Sequence, residues 1–295
     1  MAETVRATGP APTLDEAYAH CAAIAQGHYE NFSVASLLLS KGLRPAFHAV
    51  YAYCRHTDNL GDEAEGDRLA QLDDWERELV RVYGGQPTDP IMVALQDVVR
   101  RYAIPDEPFR KLIQANRMDQ ARVRFETFAE VQEYCAYSAN PVGRMVLYLL
   151  GDSTEESGRL SDLTCTALQL ANFWQDVKRD HIAGRVYLPR EDMERFGVTE
   201  QDLAMPKASP AFKNLLRFEV GRAQELFEEG LPLVDRLHGR LKLDIALFSK
   251  GGIRVLEAIR ARDYDVLAGR PTVPTSRKLW LALTTALRLA LGRRI

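Results

Sequence analysis

The chain has little of several things, and each shortage narrows what it can be. Its 295 residues include four cysteines, Cys21, Cys54, Cys135 and Cys165. They are far apart, form no CxxC or Cys/His cluster and sit in apolar runs, so they read as small buried hydrophobes in a reducing compartment, not as zinc ligands or a disulfide framework. No run of about 18 apolar residues occurs, so no membrane-spanning helix is expected. The opening MAETVRATGPAP lacks the apolar stretch of a secretory signal, and a cytoplasmic location follows as the expectation. A net charge of −3 and a pI near 6.1 leave no electrostatic footprint for nucleic acid, and no nucleic-acid partner is expected. There is no Gly-x-Gly-x-x-Gly, no Gly-Lys-Ser/Thr, no His-Glu-x-x-His and no Glu-x-x-His, which removes the Rossmann, P-loop, zincin and di-iron-bundle signatures. Alternating strand patterns and fixed-period repeats are absent too.

What remains is helical periodicity from Thr13 onward. Helices are expected over roughly 13–26, 32–40, 45–60, 67–84, 89–102, 107–118, 128–150, 154–181, 210–237, 240–268 and 275–292. Thr13/Glu16, Thr127/Glu130 and Ser153/Glu156 have capping-box spacing, and Ser209-Pro210 offers a cap followed by a first-turn proline. The breaks, Gly84–Pro87, Pro105–Pro108 and Gly184–Lys207, are too short or too rich in apolar anchors such as Tyr187, Leu188 and Phe196 to be interdomain linkers. The expectation is one all-α domain spanning 1–295 around a central cavity, with 1–12 disordered.

Two aspartate pairs stand out: Asp58/Asp62 in RHTDNLGDE and Asp176/Asp180 in LQLANFWQDVKRD. Residues four apart share a helix face, so each pair presents two carboxylates in one direction. With 41 acidic residues, random placement alone would supply roughly five or six such pairs. The surroundings distinguish these two. Each follows a strongly apolar run, AFHAVYAYC or CTALQLANFW, and acids closing a buried helix are costly unless paired or bound to a cation. Arg55 shares the first stripe; Gln169 and Asn172 share the second. Magnesium takes one or two protein carboxylates and fills its octahedron with water and phosphate oxygen, so two such helices facing across a cavity suit a metal-bridged diphosphate. Arg55 is either a diphosphate clamp or an intrahelical partner of Asp58. Lys178, Arg179 and Arg185 are similarly divided between ligand contact and surface charge. His28 and His56 are either polar lining or ordinary structural histidines.

Two further stretches allow two readings each. Pro141 in YCAYSANPVG marks either a kink or a boundary between helices. The segment 275–292 is apolar at Leu279, Trp280, Leu283 and Leu287 and basic at Arg277, Lys278 and Arg288. It is either a final core helix or a peripheral contact with an anionic membrane face.

In combination, HYENFSVAS (28–36), YAYCRHTDNLGDE (51–63), YCAYSANPVGR (134–144), LQLANFWQDVKRD (168–180) and RVYLP (185–189) resemble the squalene/phytoene synthase family. The resemblance covers most of 28–190, in the family's order and spacing. It implies a single isoprenoid-synthase domain, Mg2+ as cofactor and a prenyl diphosphate substrate, presqualene or farnesyl diphosphate. The ENFSVAS and SANPVGR wording is most similar to the bacterial branch of hopanoid precursor synthesis, which implies ionisation of presqualene diphosphate and water capture of the cation, as in a hydroxysqualene synthase. Squalene-, presqualene-diphosphate- or phytoene-type synthesis, and a non-catalytic membrane-associated helical binding protein, are the alternatives.

Carried over residue by residue, the resemblance makes Asp58, Asp62, Asn172, Asp176 and Asp180 metal ligands. It lines the diphosphate and first prenyl chain with Arg55, Tyr51 and Gln169, sets His28, Tyr29, Asn31 and Phe32 against the substrate, and makes Tyr134 a cavity tyrosine. Three departures appear. Asn59 replaces a second acid; Gln175 stands where carotenoid-type members often carry arginine; and Gly251-Gly252 replace bulkier residues, implying a reshaped cavity end.

Overall fold

The computed structural model describes residues 12–27, 42–121, 124–237, 239–274 and 284–285, and among these the regular structure is helical throughout. The helices are α1 (Leu14–Gly27), α2 (Arg44–Asp62), α3 (Arg68–Gly84), α4 (Pro90–Tyr102), α5 (Glu107–Ala121), α6 (Phe128–Ser138) and α7 (Asn140–Leu150). They continue with α8 (Glu155–Ile182), α9 (Arg190–Phe196), α10 (Glu200–Leu203), α11 (Pro210–Gly230), α12 (Pro232–Arg236) and α13 (Gly239–Ala261). The chain forms two compact units, residues 1–110 and 111–295.

In the first unit, α2 packs against α1, α3 and α4. Its apolar positions Ala46, Phe47, Ala49, Val50, Ala52 and Tyr53 are buried. Tyr53 stacks on Trp75 at 5.7 Å, meets Phe109 edge-on at 5.0 Å and donates its hydroxyl to the Phe109 carbonyl at 2.9 Å. Burying such a ring contributes about 1.5–3 kcal/mol. Thr57, fully buried beside it, donates to the Tyr53 carbonyl at 2.8 Å and accepts from Trp75 Nε1 at 2.9 Å, fastening α3 to the turn that carries Asp58.

In the second unit, α8 is the axis, contacted by α6, α7, α10, α11, α12 and α13. Close approach depends on missing side chains. A Cβ on Gly143 would strike Ser161 and Cys165, and one on Gly252 would strike Phe227 and Leu168. At Gly252 these two neighbouring side chains take up the room a bulkier residue would need, while a Cβ on Gly251 would meet nothing within 4 Å.

Local chemistry sets the helix ends. Glu16 and Thr13 form their reciprocal box, Thr127 caps α6 and Ser209 caps α11. The cap of α8 is Thr154, one residue later than expected, with its hydroxyl on the Ser157 amide at 3.2 Å. The Asn140-Pro141 alternative resolves to a boundary: α6 ends at Ser138 and Pro141 lies in the first turn of α7, where a missing amide hydrogen is harmless. The 184–207 break holds two short helices and a single parallel bridge between Arg124 and Val186. All four cysteines are free, Cys21 and Cys135 buried and Cys54 and Cys165 half-buried. Burial pushes the thiols of Cys21, Cys135 and Cys165 up to about 12, 12 and 11, which suits an apolar role. Among the described residues no helix is long and apolar enough to cross a membrane. The expected helices at 32–40 and 275–292 fall outside the described residues, apart from 284–285.

Candidate active site

Helix α8 runs unbroken for 28 residues, so Gln169, Asn172, Asp176 and Asp180 lie on the predicted stripe while Leu170, Ala171, Trp174 and Val177 are buried between them. Asn172 is exposed; Gln169, Asp176 and Asp180 are half-buried. Arg270 grips Asp176 with two parallel bonds, Nε to Oδ1 at 2.6 Å and Nη2 to Oδ2 at 2.8 Å. The same Nη2 donates to Gln175 Oε1 at 3.0 Å, and Gln175 Nε2 donates to the Pro271 carbonyl. Gln175 therefore seats the segment that delivers a guanidinium to the acid pair. Lys178 donates to the carbonyls of Leu267 and Met205, which makes it a backbone tie.

Asp180 is electrostatically strained. Burial, then the charge of Asp176, push its carboxyl up to about 7, against the pull of Arg185, Arg179 and Arg270. Asp180 also lies in the last turn of α8, where the carbonyl end of a helix disfavours an anion by about 0.3–1 kcal/mol.

Beside Asp180 is a small concavity lined by Phe173, Val177, Arg185, Tyr187 and Leu203. Two of its lining residues, Phe173 and Tyr187, belong to a larger interlocked aromatic cluster with Tyr134 and Phe125. Phe173 and Tyr187 stack at 3.7 Å with an interplanar angle of 6°, Tyr134 lies 5.8 Å from Tyr187 and 6.2 Å from Phe173, and Phe125 lies 5.5 Å from Tyr134. Tyr134 is buried and donates its hydroxyl to Asp119 Oδ2 at 2.9 Å. Arg185 hydrogen-bonds Tyr187. Asp119, Arg270 and the wall role of Tyr187 escaped the sequence reading. Tyr187 passed as an apolar anchor, Asp119 has no spacing partner, and Arg270 reaches Asp176 from 94 positions away.

The first acidic helix looks different. Arg55 is half-buried, and Asp58 and Asp62 are exposed. The premise that these acids close a buried face is therefore wrong: the apolar positions of α2 turn inward, and the carboxylates turn the other way. Arg55 Nη2 pairs with Glu63 Oε1 at 3.3 Å. Among the described residues its buried Nε and the buried Oδ1 of Asn59 have no hydrogen-bond partner. A carboxylate in place of Asn59 would bury part of a charge there, a physical reason for the departure from two consecutive acids. Tyr51 is half-buried, with its phenol raised by burial. The His56 ring lies 4.3 Å from Trp75 and burial holds its pKa below the usual value, which favours the structural reading. His28, Tyr29, Asn31 and Phe32 lie outside the described residues.

Among the described residues no three His, Cys, Asp or Glu side chains converge on one point. Each acidic helix instead offers two hard oxygen donors one turn apart. That set fits magnesium, which completes its shell with water and phosphate oxygens. The raised Asp180 carboxyl and the orphaned Asn59 oxygen both gain from a nearby cation.

A family model described as squalene/phytoene synthase matches residues 25–277. A 15-cis-phytoene synthase of Synechocystis sp. is 35% identical, over 92% of this chain and 84% of that protein. The solved squalene synthase HpnC from Alicyclobacillus acidocaldarius is similar at TM-score 0.83 and 45% identity, over 85% of this chain and 95% of that one. A dehydrosqualene synthase solved with a ligand is similar at TM-score 0.87 and 28% identity, over 94% and 98%. A match that runs nearly end to end, with relatives of this identity on every side, means that the chain belongs to the squalene/phytoene synthase family of prenyltransferase-type enzymes.

Proposed function

We propose that this enzyme ionises presqualene diphosphate with magnesium and lets water capture the rearranged cation, giving hydroxysqualene. The observation that carries the reading is an acid pair, Asp176 and Asp180, whose second carboxyl is pushed up by burial and by its neighbour, close to an aromatic cluster of Phe125, Tyr134, Phe173 and Tyr187. Ionisation of an allylic or cyclopropylcarbinyl diphosphate needs both parts: a place for the departing anion, and ring faces that attract a cation without attacking it. Asp58 and Asp62 on α2, and Asn172, Asp176 and Asp180 on α8, are the proposed holders of magnesium. When bound, the ion supplies Lewis-acid assistance to diphosphate departure. Arg55 is the proposed clamp on the diphosphate, with Tyr51 and Gln169 along the prenyl chain. The substrate contacts of His28, Tyr29, Asn31 and Phe32 are proposed on the resemblance alone. The squalene-branch assignment is supported by the 45% identity to HpnC and by the ENFSVAS and SANPVGR wording.

A second reading, phytoene-type head-to-head condensation of two prenyl diphosphates, is favoured by the identity to phytoene synthases. One experiment separates them. Purified protein with magnesium is given presqualene diphosphate or farnesyl diphosphate, with and without NADPH, and the products are identified. Hydroxysqualene from presqualene diphosphate without NADPH is the expected result. Squalene formed only with NADPH, or a condensation product from farnesyl diphosphate alone, would replace the assignment, and no diphosphate release from either substrate would end it. The basic segment 275–292 is proposed to contact membrane, where a lipid-soluble product partitions. Its removal is then expected to weaken binding to anionic vesicles.

A further inference from the structure

A cation captured by water must lose a proton, and the proposed reaction leaves open where that proton goes. We infer that Asp119 and Tyr134 form a two-step proton relay that terminates the reaction, with Asp119 acting through the tyrosine. The inference rests on the reading above and deepens it.

Three observations meet at this pair. Tyr134 packs into the cluster of Phe125, Phe173 and Tyr187, two of whose rings line the concavity beside Asp180. Its hydroxyl donates to Asp119 Oδ2 at 2.9 Å and also hydrogen-bonds Tyr187, which leaves its oxygen one lone pair with which to accept a proton. Burial, Tyr187 and Asp119 all hold Tyr134 as a phenol, so it cannot serve as a base in its own right. A buried phenol that donates to a carboxylate can accept a proton only by passing its own along. The arrangement is an acceptor in two parts, the buried Tyr134 and the half-buried Asp119. Tyr187, hydrogen-bonded to both Arg185 and Tyr134, brings no second carboxylate to the pair.

The step balances. Diphosphate leaves with the electron pair of its C–O bond. Water oxygen forms a new C–O bond to the cationic carbon, and one water proton passes to Tyr134 Oη. The Tyr134 hydroxyl proton passes to Asp119 Oδ2, leaving a neutral alcohol, a neutral phenol and a protonated carboxyl. Without the relay, the cation is expected to end by losing a proton from carbon, giving an alkene.

The test uses the whole chain with magnesium and presqualene diphosphate, and reads diphosphate release and alcohol formed separately. Asp119→Asn keeps an acceptor for the Tyr134 hydroxyl but removes the base. It is expected to leave diphosphate release within about twofold of wild type and to lower alcohol per diphosphate by at least about tenfold. That lies below the roughly 10²–10⁴ of a positioned acid–base group, because water attacks a carbocation readily. Asp119→Glu is expected to restore much of the alcohol fraction, which a purely structural role would not do, and far-ultraviolet circular dichroism checks the fold of both variants. An unchanged alcohol fraction in D119N would overturn the relay. So would a parallel fall in diphosphate and alcohol, since that places Asp119 in ionisation or structure. Wild-type protein that releases no diphosphate would overturn the proposed function and the relay with it, whereas active wild type with an unaffected D119N overturns the relay alone.

Discussion

Helices α2 and α8 carry the same four-residue aspartate spacing at the same end, yet the two pairs live in different physical worlds. On α2 the acids are exposed and the adjacent arginine is turned toward Glu63. On α8 they are half-buried, one is gripped by Arg270, and the other is pushed up to about 7. The difference teaches that spacing places carboxylates and burial sets their appetite for a cation. An exposed pair is already paid in solvation by water, so a metal must displace that water. A half-buried pair gains solvation and charge neutralisation in one step.

The strongest way to break this comparison is to neutralise one acid on each helix. Asp58→Asn and Asp176→Asn are each expected to lower kcat by about 10²–10³-fold, the scale of lost electrostatic stabilisation at a reacting centre, with helicity unchanged by circular dichroism. Undiminished turnover in either would remove that helix from the proposed site. Next in size is Arg270→Gln, which removes the guanidinium from Asp176 and one of the three cations restraining Asp180. A fall in kcat of about tenfold is expected, together with a changed magnesium concentration for half-maximal rate. The corresponding loss of Arg55 from α2 is expected to act on the KM for the diphosphate substrate more than on the magnesium requirement. Equal behaviour of the two arginine variants would erase the distinction.

A third change probes how α2 is held. Thr57→Val leaves Trp75 Nε1 buried without its acceptor and is expected to cost about 1–3 kcal/mol in denaturant unfolding. Smallest is a test of burial as the cause of a raised carboxyl away from the acidic pairs. Glu219 is fully buried, lies by Arg222 and Asp192, and is pushed up to about 8, chiefly by burial. Its folded pKa lies above its unfolded value, so the folded chain holds the extra proton. Stability is fullest below about pH 4.5, falls as pH rises from there, and levels off above about 8. Glu219→Gln, neutral throughout, is expected to flatten that slope and to gain on wild type by about 2–4 °C in Tm between pH 5 and pH 8.5. Identical slopes would refute the burial argument.

Much of this enzyme is legible in the chain. The helix limits follow from capping threonines and serines, prolines and apolar periodicity, and most lie within a residue or two of expectation. The misses have particular causes. Ser153 and Thr154 are both competent caps, and only the packing of α8 selects Thr154. The 190–203 helices are too short for periodicity to reveal. Pro141 resolves as a boundary because α6 closes at Ser138, with Ala139 as its cap, and α7 opens at Asn140 with the proline in its first turn. At the candidate site, the stripe of Gln169, Asn172, Asp176 and Asp180 was legible because an unbroken helix converts spacing into direction.

The sequence by itself determined the helices, the two acidic stripes and, through ordered motifs, the family. Those features depend on neighbours within a few positions, or on blocks that keep their wording. Only the tertiary structure decided which acids are buried, that Arg270 grips Asp176, that Tyr134 donates to Asp119 and that Tyr187 joins the aromatic cluster. Each of these depends on residues brought together by packing across many positions of chain, and burial, which sets how strongly a charge is felt, is a property of the packed surroundings.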